Sequence, residues 1–74
     1  MEYNYDKLKG KIVEVFGTQE KFAVKMGISP AALSARLHNL TGFTQKEILT
    51  ACNLLNIEPA QIPVYFFTHK VQKI

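Results

Sequence analysis

Thr18 to Asn39 reads TQEKFAVKMGISPAALSARLHN, and this stretch decides the fold. It holds two short helical patterns hinged at Met26-Gly27-Ile28. Thr18 is placed to cap the first pattern, with Gln19 and Glu20 in its first turn. Ser29 is placed to cap the second, and Pro30 follows at the first helical position, where a missing N–H costs nothing. Phe22, Ala23 and Met26 form one apolar stripe at helical spacing, and Leu33 and Leu37 form another. Gly27 falls where the chain must turn between them, a place that suits a residue free to take positive φ. Two helices joined steeply by a short glycine turn make a helix-turn-helix, whose second helix can lie in a DNA major groove.

The flanks extend the helical reading. Tyr5, Leu8, Ile12 and Val15/Phe16 repeat at helical spacing and predict a first helix over Asn4–Phe16. Asn4 serves as its cap, Asp6 lies in its first turn and Gly17 ends it. The two hinged patterns predict helices over Thr18–Met26 and Pro30–His38, followed by a loop at Leu40–Phe43. Thr44-Gln45-Lys46-Glu47 is a capping box and starts a fourth helix. That helix carries Ile48, Leu49, Cys52 and Leu55 on one face and ends at Asn56, a fair left-handed cap. Glu58 to Ile62 predicts a short fifth helix with Pro59 in its first turn, and Pro63 disturbs the chain beyond it. The end, VYFFTHKVQKI, fits a helical turn, a strand or a tail. The expectation is all-α: four to five short helices in a single domain over 1–74, with a core at about 4–62 and a C-terminal tail at 63–74.

The Thr18–Asn39 stretch resembles the Cro and lambda-repressor-like helix-turn-helix family, best known from phage regulators. The residues that carry the resemblance are Gln19 near the start of the first helix, Ala23 where the helices cross and Gly27 at the turn. Ile28 with Ser29, and Leu33 in the recognition helix, complete the set. The chain departs from the family at Arg36, where a second apolar anchor is usual and for which Leu37 can substitute. The resemblance implies a lambda-repressor-like helix-turn-helix domain that binds double-stranded DNA as a phage Cro-type transcriptional repressor. It implies action by occupying an operator and excluding polymerase or a competing regulator.

Composition sets the bounds. A chain of 74 residues has room for one small domain, which favours a Cro-like protein over a two-domain repressor. No apolar run approaches the ~20 residues of a membrane span, and the polar start MEYNYDKLKG is no signal peptide, so a cytoplasmic, soluble domain is expected; a bacterial host and a phage or prophage origin are what the resemblance implies. The single cysteine, Cys52, rules out an internal disulfide. A net charge of +3 and a pI of about 9.2 suit a nucleic-acid binder and many other small domains equally. The sequence has no Gly-rich phosphate loop, no HExxH and no CxxC. The six acids are scattered, and His38, Cys52 and His69 are far apart in sequence. No enzyme activity, metal, cofactor or small-molecule substrate is expected.

On a helical wheel at about 100° per residue, Leu33, Leu37 and the stem of Arg36 define the inward side of the second pattern. Ala31, Ala35 and His38 occupy the opposite side, flanked by Ser34 and Asn39. Small residues there let the helix approach base edges and touch thymine methyls, while Ser34 and His38 hydrogen-bond to bases; the alternative is that the alanines merely favour helix. Gln19 suits a phosphate oxygen, as the family's matching Gln implies. Thr41, Thr44, Gln45 and Lys46 form a second candidate clamp, although Thr44 and Glu47 also have a purely structural reason to be there. With Thr18, Ser29 and Pro30, these residues make up the candidate DNA-binding set. Arg36 fits either a phosphate or an ion pair with Glu20 or Glu47. Lys7, Lys9 and Lys11 fit a solvated face or a DNA stripe.

The expected partner is an operator in double-stranded DNA, bound by a possible homodimer. A rival from another class is a helix-turn-helix protein-interaction module of antitoxin or antirepressor type. The apolar run Val64-Tyr65-Phe66-Phe67 must be covered, either by the monomer's own core or by a second copy.

Overall fold

The computed structural model describes residues 2–71. Five α-helices succeed one another: α1 (Asp6–Phe16), α2 (Gln19–Met26), α3 (Pro30–Leu37), α4 (Gln45–Leu55) and α5 (Ile62–Phe66), with a 3-10 turn at Pro59–Gln61 leading into α5. Among the described residues the only β pairing is an isolated antiparallel bridge between Tyr3 and His69.

Local chemistry sets the helix limits. The Oγ of Thr18, Ser29 and Thr44 accept from the backbone N–H of Lys21, Ala32 and Glu47 at 3.2, 3.0 and 3.1 Å. Each cap satisfies one of the donors that a helix start leaves without a partner. At Thr44 the box closes reciprocally, because Glu47 Oε1 accepts from the Thr44 N–H at 3.0 Å. Gly27 ends α2 at φ 76°, ψ 24°. The Ile28 N–H reaches Ala23 O and the Gly27 N–H reaches Val24 O, both at 3.1 Å, which is the Schellman pattern. Asn56 closes α4 at φ 54°.

The helices enclose one cluster of buried side chains in which Leu8, Ile12, Phe22, Leu33 and Leu55 are wholly inaccessible. Each such side chain contributes about 1.5–3 kcal/mol by leaving water. Aromatic edges knit the ends together. Phe43 meets Tyr5 at a ring separation of 5.4 Å and Phe66 at 5.3 Å, both nearly perpendicular. Phe16 leans on Phe22 at 5.3 Å.

Four details differ from the sequence reading. Asn4 does not cap α1 from the N-cap position, which Tyr5 holds; its Oδ1 instead accepts the Asp6 N–H at 2.8 Å. Helix α3 stops at Leu37, and His38 is the residue after it. Leu49 faces solvent at 60% exposure, and the small Ala51 takes the core position with Cys52 and Leu55. The stretch from 63 is no simple tail. Pro63 lies in the first turn of α5, where a proline is tolerated, and Phe66 at 1% exposure completes the core. The core therefore extends past 62. Beyond α5 the chain runs back beside the N-terminus: the Asn4 N–H donates to Thr68 O at 2.6 Å and the Lys70 N–H to Glu2 O at 3.2 Å. The end of the expected tail, 72–74, lies outside the described residues.

Candidate nucleic-acid interface

The hinge between α2 and α3 is built from both sides. Ala23 is wholly buried, and having no side chain beyond Cβ it lets the two helices pack closely. Gly27 supplies the left-handed residue, and Ile28 packs partly buried against the core. Leu33 and Leu37 fix the inner face of α3. Ala31 is exposed, Ser34 and Ala35 are half-buried and His38 is exposed, so the predicted outer face is on the surface. Their spacing of three and four residues stacks them along one side of the helix.

Ser34 and His38 act as a pair. His38 Nδ1 lies 2.8 Å from the Ser34 carbonyl oxygen and 3.2 Å from Ser34 Oγ. A carbonyl can only accept, so Nδ1 carries the hydrogen and Nε2 is left for an outside partner. With Nδ1 so engaged, Nε2 is the acceptor the ring presents outward.

Arg36 is structural. Its Nε and Nη2 donate to Glu47 Oε1 and Oε2, both at 2.8 Å, and its Nη1 donates to Ala32 O at 2.9 Å. The pair ties α3 to the start of α4. The Arg36 bonds, opposed by partial desolvation and aided by the Thr44 N–H, hold the Glu47 carboxyl below the usual range. The same bonds raise the Arg36 pKa further.

Asn39, at the flank of the outer face on the helical wheel, has its side chain engaged within the protein. Both atoms of its amide are engaged on the Tyr3 backbone: Oδ1 accepts from Tyr3 N at 2.9 Å and Nδ2 donates to Tyr3 O at 3.0 Å. Its backbone has φ 63°, and the Leu40 N–H reaches Ala35 O at 2.8 Å, so Asn39 also ends α3.

Gln19 is half-buried at the first position of α2, and Thr18 and Ser29 are exposed caps beside it. Pro30, Thr41, Thr44, Gln45 and Lys46 are exposed. The Thr44 Oγ is already engaged in the capping box, which leaves its methyl and the open α4 turn to outside contacts. Lys9 and Lys70 lie outside the predicted set, yet both line a cleft with His38 at the far end of α3. No local signal in the sequence marks that closeness, because it depends on the C-terminal segment lying against the N-terminal one. Burial raises the Cys52 thiol pKa, and the side chain packs as an apolar group in the core. No helix among the described residues is long and apolar enough to cross a membrane.

A family model described as protein of unknown function (DUF739) matches residues 1–69. The chain belongs to the DUF739 family. Its fold is similar to the solution structure of the modulator of repression (MOR) of the temperate bacteriophage TP901-1 from Lactococcus lactis, with a TM-score of 0.80 and 43% identity over 97% of each chain. Comparison with curated proteins gave no match.

Proposed function

We propose that this DUF739 protein is a phage regulator that binds an operator in double-stranded DNA through the outer face of α3, in the manner of a Cro-type repressor. The observation that carries the reading is that face. Ala31, Ser34, Ala35 and His38 lie along the surface of a helix that is capped at Ser29, anchored by Leu33 and Leu37 and set behind a left-handed glycine turn. Two alanines permit close approach to base edges and thymine methyls, and Ser34 and His38 supply hydrogen-bonding atoms. The starts of α2 and α4 add N–H groups and the side chains of Gln19, Gln45 and Lys46 for phosphate oxygens. One such helix reads only a few base pairs, so two copies on half-sites about 34 Å apart are the expected working form. The regulatory part of the reading is supported by the likeness to a phage protein named for modulating repression.

A second reading has its own support. Arg36 is the only lysine or arginine of α3 and it is bound to Glu47, while Val24 and Leu40 are 71% and 77% exposed. A reading helix without a free cation, near exposed apolar groups, also suits a protein partner, and repression can equally be modulated through contact with a repressor protein.

Gel retardation of genomic fragments across a salt series separates the two. Operator binding predicts retained fragments whose log affinity falls against log salt with a slope of about −0.9 per phosphate neutralised. No retained fragment at any salt would remove the DNA reading and favour the protein partner.

A further inference from the structure

We propose that Arg36 and Glu47 are positioning residues for operator reading: their ion pair sets the angle between α3 and the start of α4, and thereby which base edges the outer face of α3 meets. The role given to that angle rests on the operator-binding reading; the coupling of the two helices does not.

The pair is a closed polar bridge. Arg36 Nη1 donates to Ala32 O, one turn back on α3, at 2.9 Å, which fixes the guanidinium on its own helix. Nε and Nη2 then donate to the two carboxylate oxygens of Glu47, both at 2.8 Å. On the other side, Glu47 Oε1 accepts the Thr44 N–H at 3.0 Å and Thr44 Oγ accepts the Glu47 N–H at 3.1 Å, which fixes the carboxylate on the first turn of α4. Two planar groups joined by two parallel bonds have one mutual orientation, whereas a lysine ammonium would act as a point charge. The two side chains are only 19% and 16% exposed, against 52% and 63% for Lys70 and Glu2, so water competes far less for these bonds than for those of a surface pair.

The bridge stands where packing is thin. Helices α3 and α4 each pack on α2, and their own backbones meet less than either meets α2. Leu33 and Leu37 seat α3 on the core, but they lie four residues apart on one line along the helix. Two anchors on one line leave the roll of the helix about that line to be set elsewhere, and the Arg36–Glu47 bridge reaches α3 from the side. The outer face carries Ala31, Ser34, Ala35 and His38, short side chains that act only at close approach. Hydrogen bonds weaken steeply away from a straight approach. A changed roll therefore takes this face off the base edges, while phosphate contacts made elsewhere on the chain persist.

The test uses the full chain with Arg36→Met/Glu47→Gln. Glutamine still closes the capping box, and replacing a covered ion pair by uncharged groups of similar size is often neutral in stability. The double variant should therefore melt close to the parent. In the free protein, residual dipolar couplings should report a changed angle between α3 and α4. On DNA, operator affinity should fall about tenfold or more, the scale of one lost base contact, and discrimination among base-pair substitutions should flatten. The salt slope should stay that of the parent, because Arg36 touches no phosphate. Arg36→Lys keeps the charge without the planar fork; it should lose discrimination likewise, and it serves if the double variant does not fold. An unchanged helix angle, or parent-like discrimination in both variants, overturns the proposal and leaves operator binding intact. A salt slope lowered by about 0.9 in the double variant but not in Arg36→Lys makes Arg36 a phosphate contact and overturns it as well. A parent that binds no DNA, with the angle still changed in the variant, removes the operator reading and with it the role given to the angle.

Discussion

Asn39 grips the backbone of Tyr3 from both sides, its Oδ1 accepting from the Tyr3 N–H at 2.9 Å and its Nδ2 donating to the Tyr3 carbonyl at 3.0 Å. The residue that ends α3 is therefore also the anchor of the N-terminal segment, which in turn pairs with His69. Asn39→Gly retains the positive φ and removes both bonds. The loss should be about 1–3 kcal/mol for two hydrogen bonds of ordinary strength, read by thermal melting. Amide exchange at Tyr3 and Lys70 should accelerate well beyond that of the α1 amides. Protection at Tyr3 unchanged from the parent would show that the segment is held by something else.

The Arg36–Glu47 pair gives a pH signature. Glu47 has its carboxyl pKa lowered by the Arg36 bonds, partly offset by desolvation and assisted by Thr44. A carboxyl depressed in the folded state adds stability that is fully present above its unfolded value, about 4.3, and is lost as pH falls through the lower folded value. The difference in stability between parent and Glu47→Gln should thus be constant near neutrality and shrink below about pH 4.3. At pH 7 the substitution should cost about 1.5–3 kcal/mol, as for a hydrogen bond to a charged group. A gap that persists unchanged into acid would mean that the charge of Glu47 contributes nothing.

Legibility in the sequence tracks the reach of each interaction. The caps Thr18, Ser29 and Thr44, the left-handed turns at Gly27 and Asn56, and the anchors Leu33 and Leu37 all rest on contacts within a few residues, so spacing alone exposes them. Asn39 reads as a flank of the candidate DNA-binding face by its place on the wheel, since nothing nearby in sequence announces its bonds to Tyr3. The C-terminal bridge is hidden for the same reason. Hydrophobicity favours Leu49 for the core, whereas α4 is rolled so that Ala51, Cys52 and Leu55 face inward and Leu49 is exposed. Of the candidate interface, the alanine face of α3 is legible from periodicity. Arg36 has two acids within its reach by sequence, and only the geometry chooses Glu47. That Lys9, His38 and Lys70 line one cleft is not legible, because it depends on the C-terminal segment lying against the N-terminal one.

Gly27 tests the turn. A Cβ there would meet nothing within 4 Å, so any cost of substitution arises from φ 76° and not from crowding. Gly27→Val should lower stability by more than the ~1 kcal/mol of a helix-propensity change, because a branched side chain resists the left-handed region. Gly27→Asn should cost less than Gly27→Val, since Asn tolerates that region. Equal melting midpoints for the two variants would contradict this origin of the strain.

Phe66 tests the C-terminal helix. It is 1% exposed and meets Phe43 edge to face, so the apolar run covers the monomer's own core. Phe66→Ala should cost about 3–5 kcal/mol, as for other buried aromatics, and should unfold much of the population at moderate temperature. Phe67 is 45% exposed, and Phe67→Ala should remain within about 1 kcal/mol of the parent. Chemical denaturation of the two variants gives the comparison, and similar costs would mean that α5 is packed differently.

The outer face of α3 is the centre of the functional account, and two matched substitutions address it. Ala23 is wholly buried at the α2–α3 crossing, so Ala23→Glu must bury a charge or part the helices, and should unfold the domain. Ala31 is exposed on the outer face of α3, so Ala31→Glu should leave stability within about 0.5 kcal/mol of the parent. The decisive measurement is the DNA-binding isotherm of Ala31→Glu beside its melting curve. The account predicts a parent-like melt with operator binding abolished, through bulk in the groove and repulsion from phosphates. A variant that melts like the parent and binds the operator as tightly would contradict the claim that this face reads DNA.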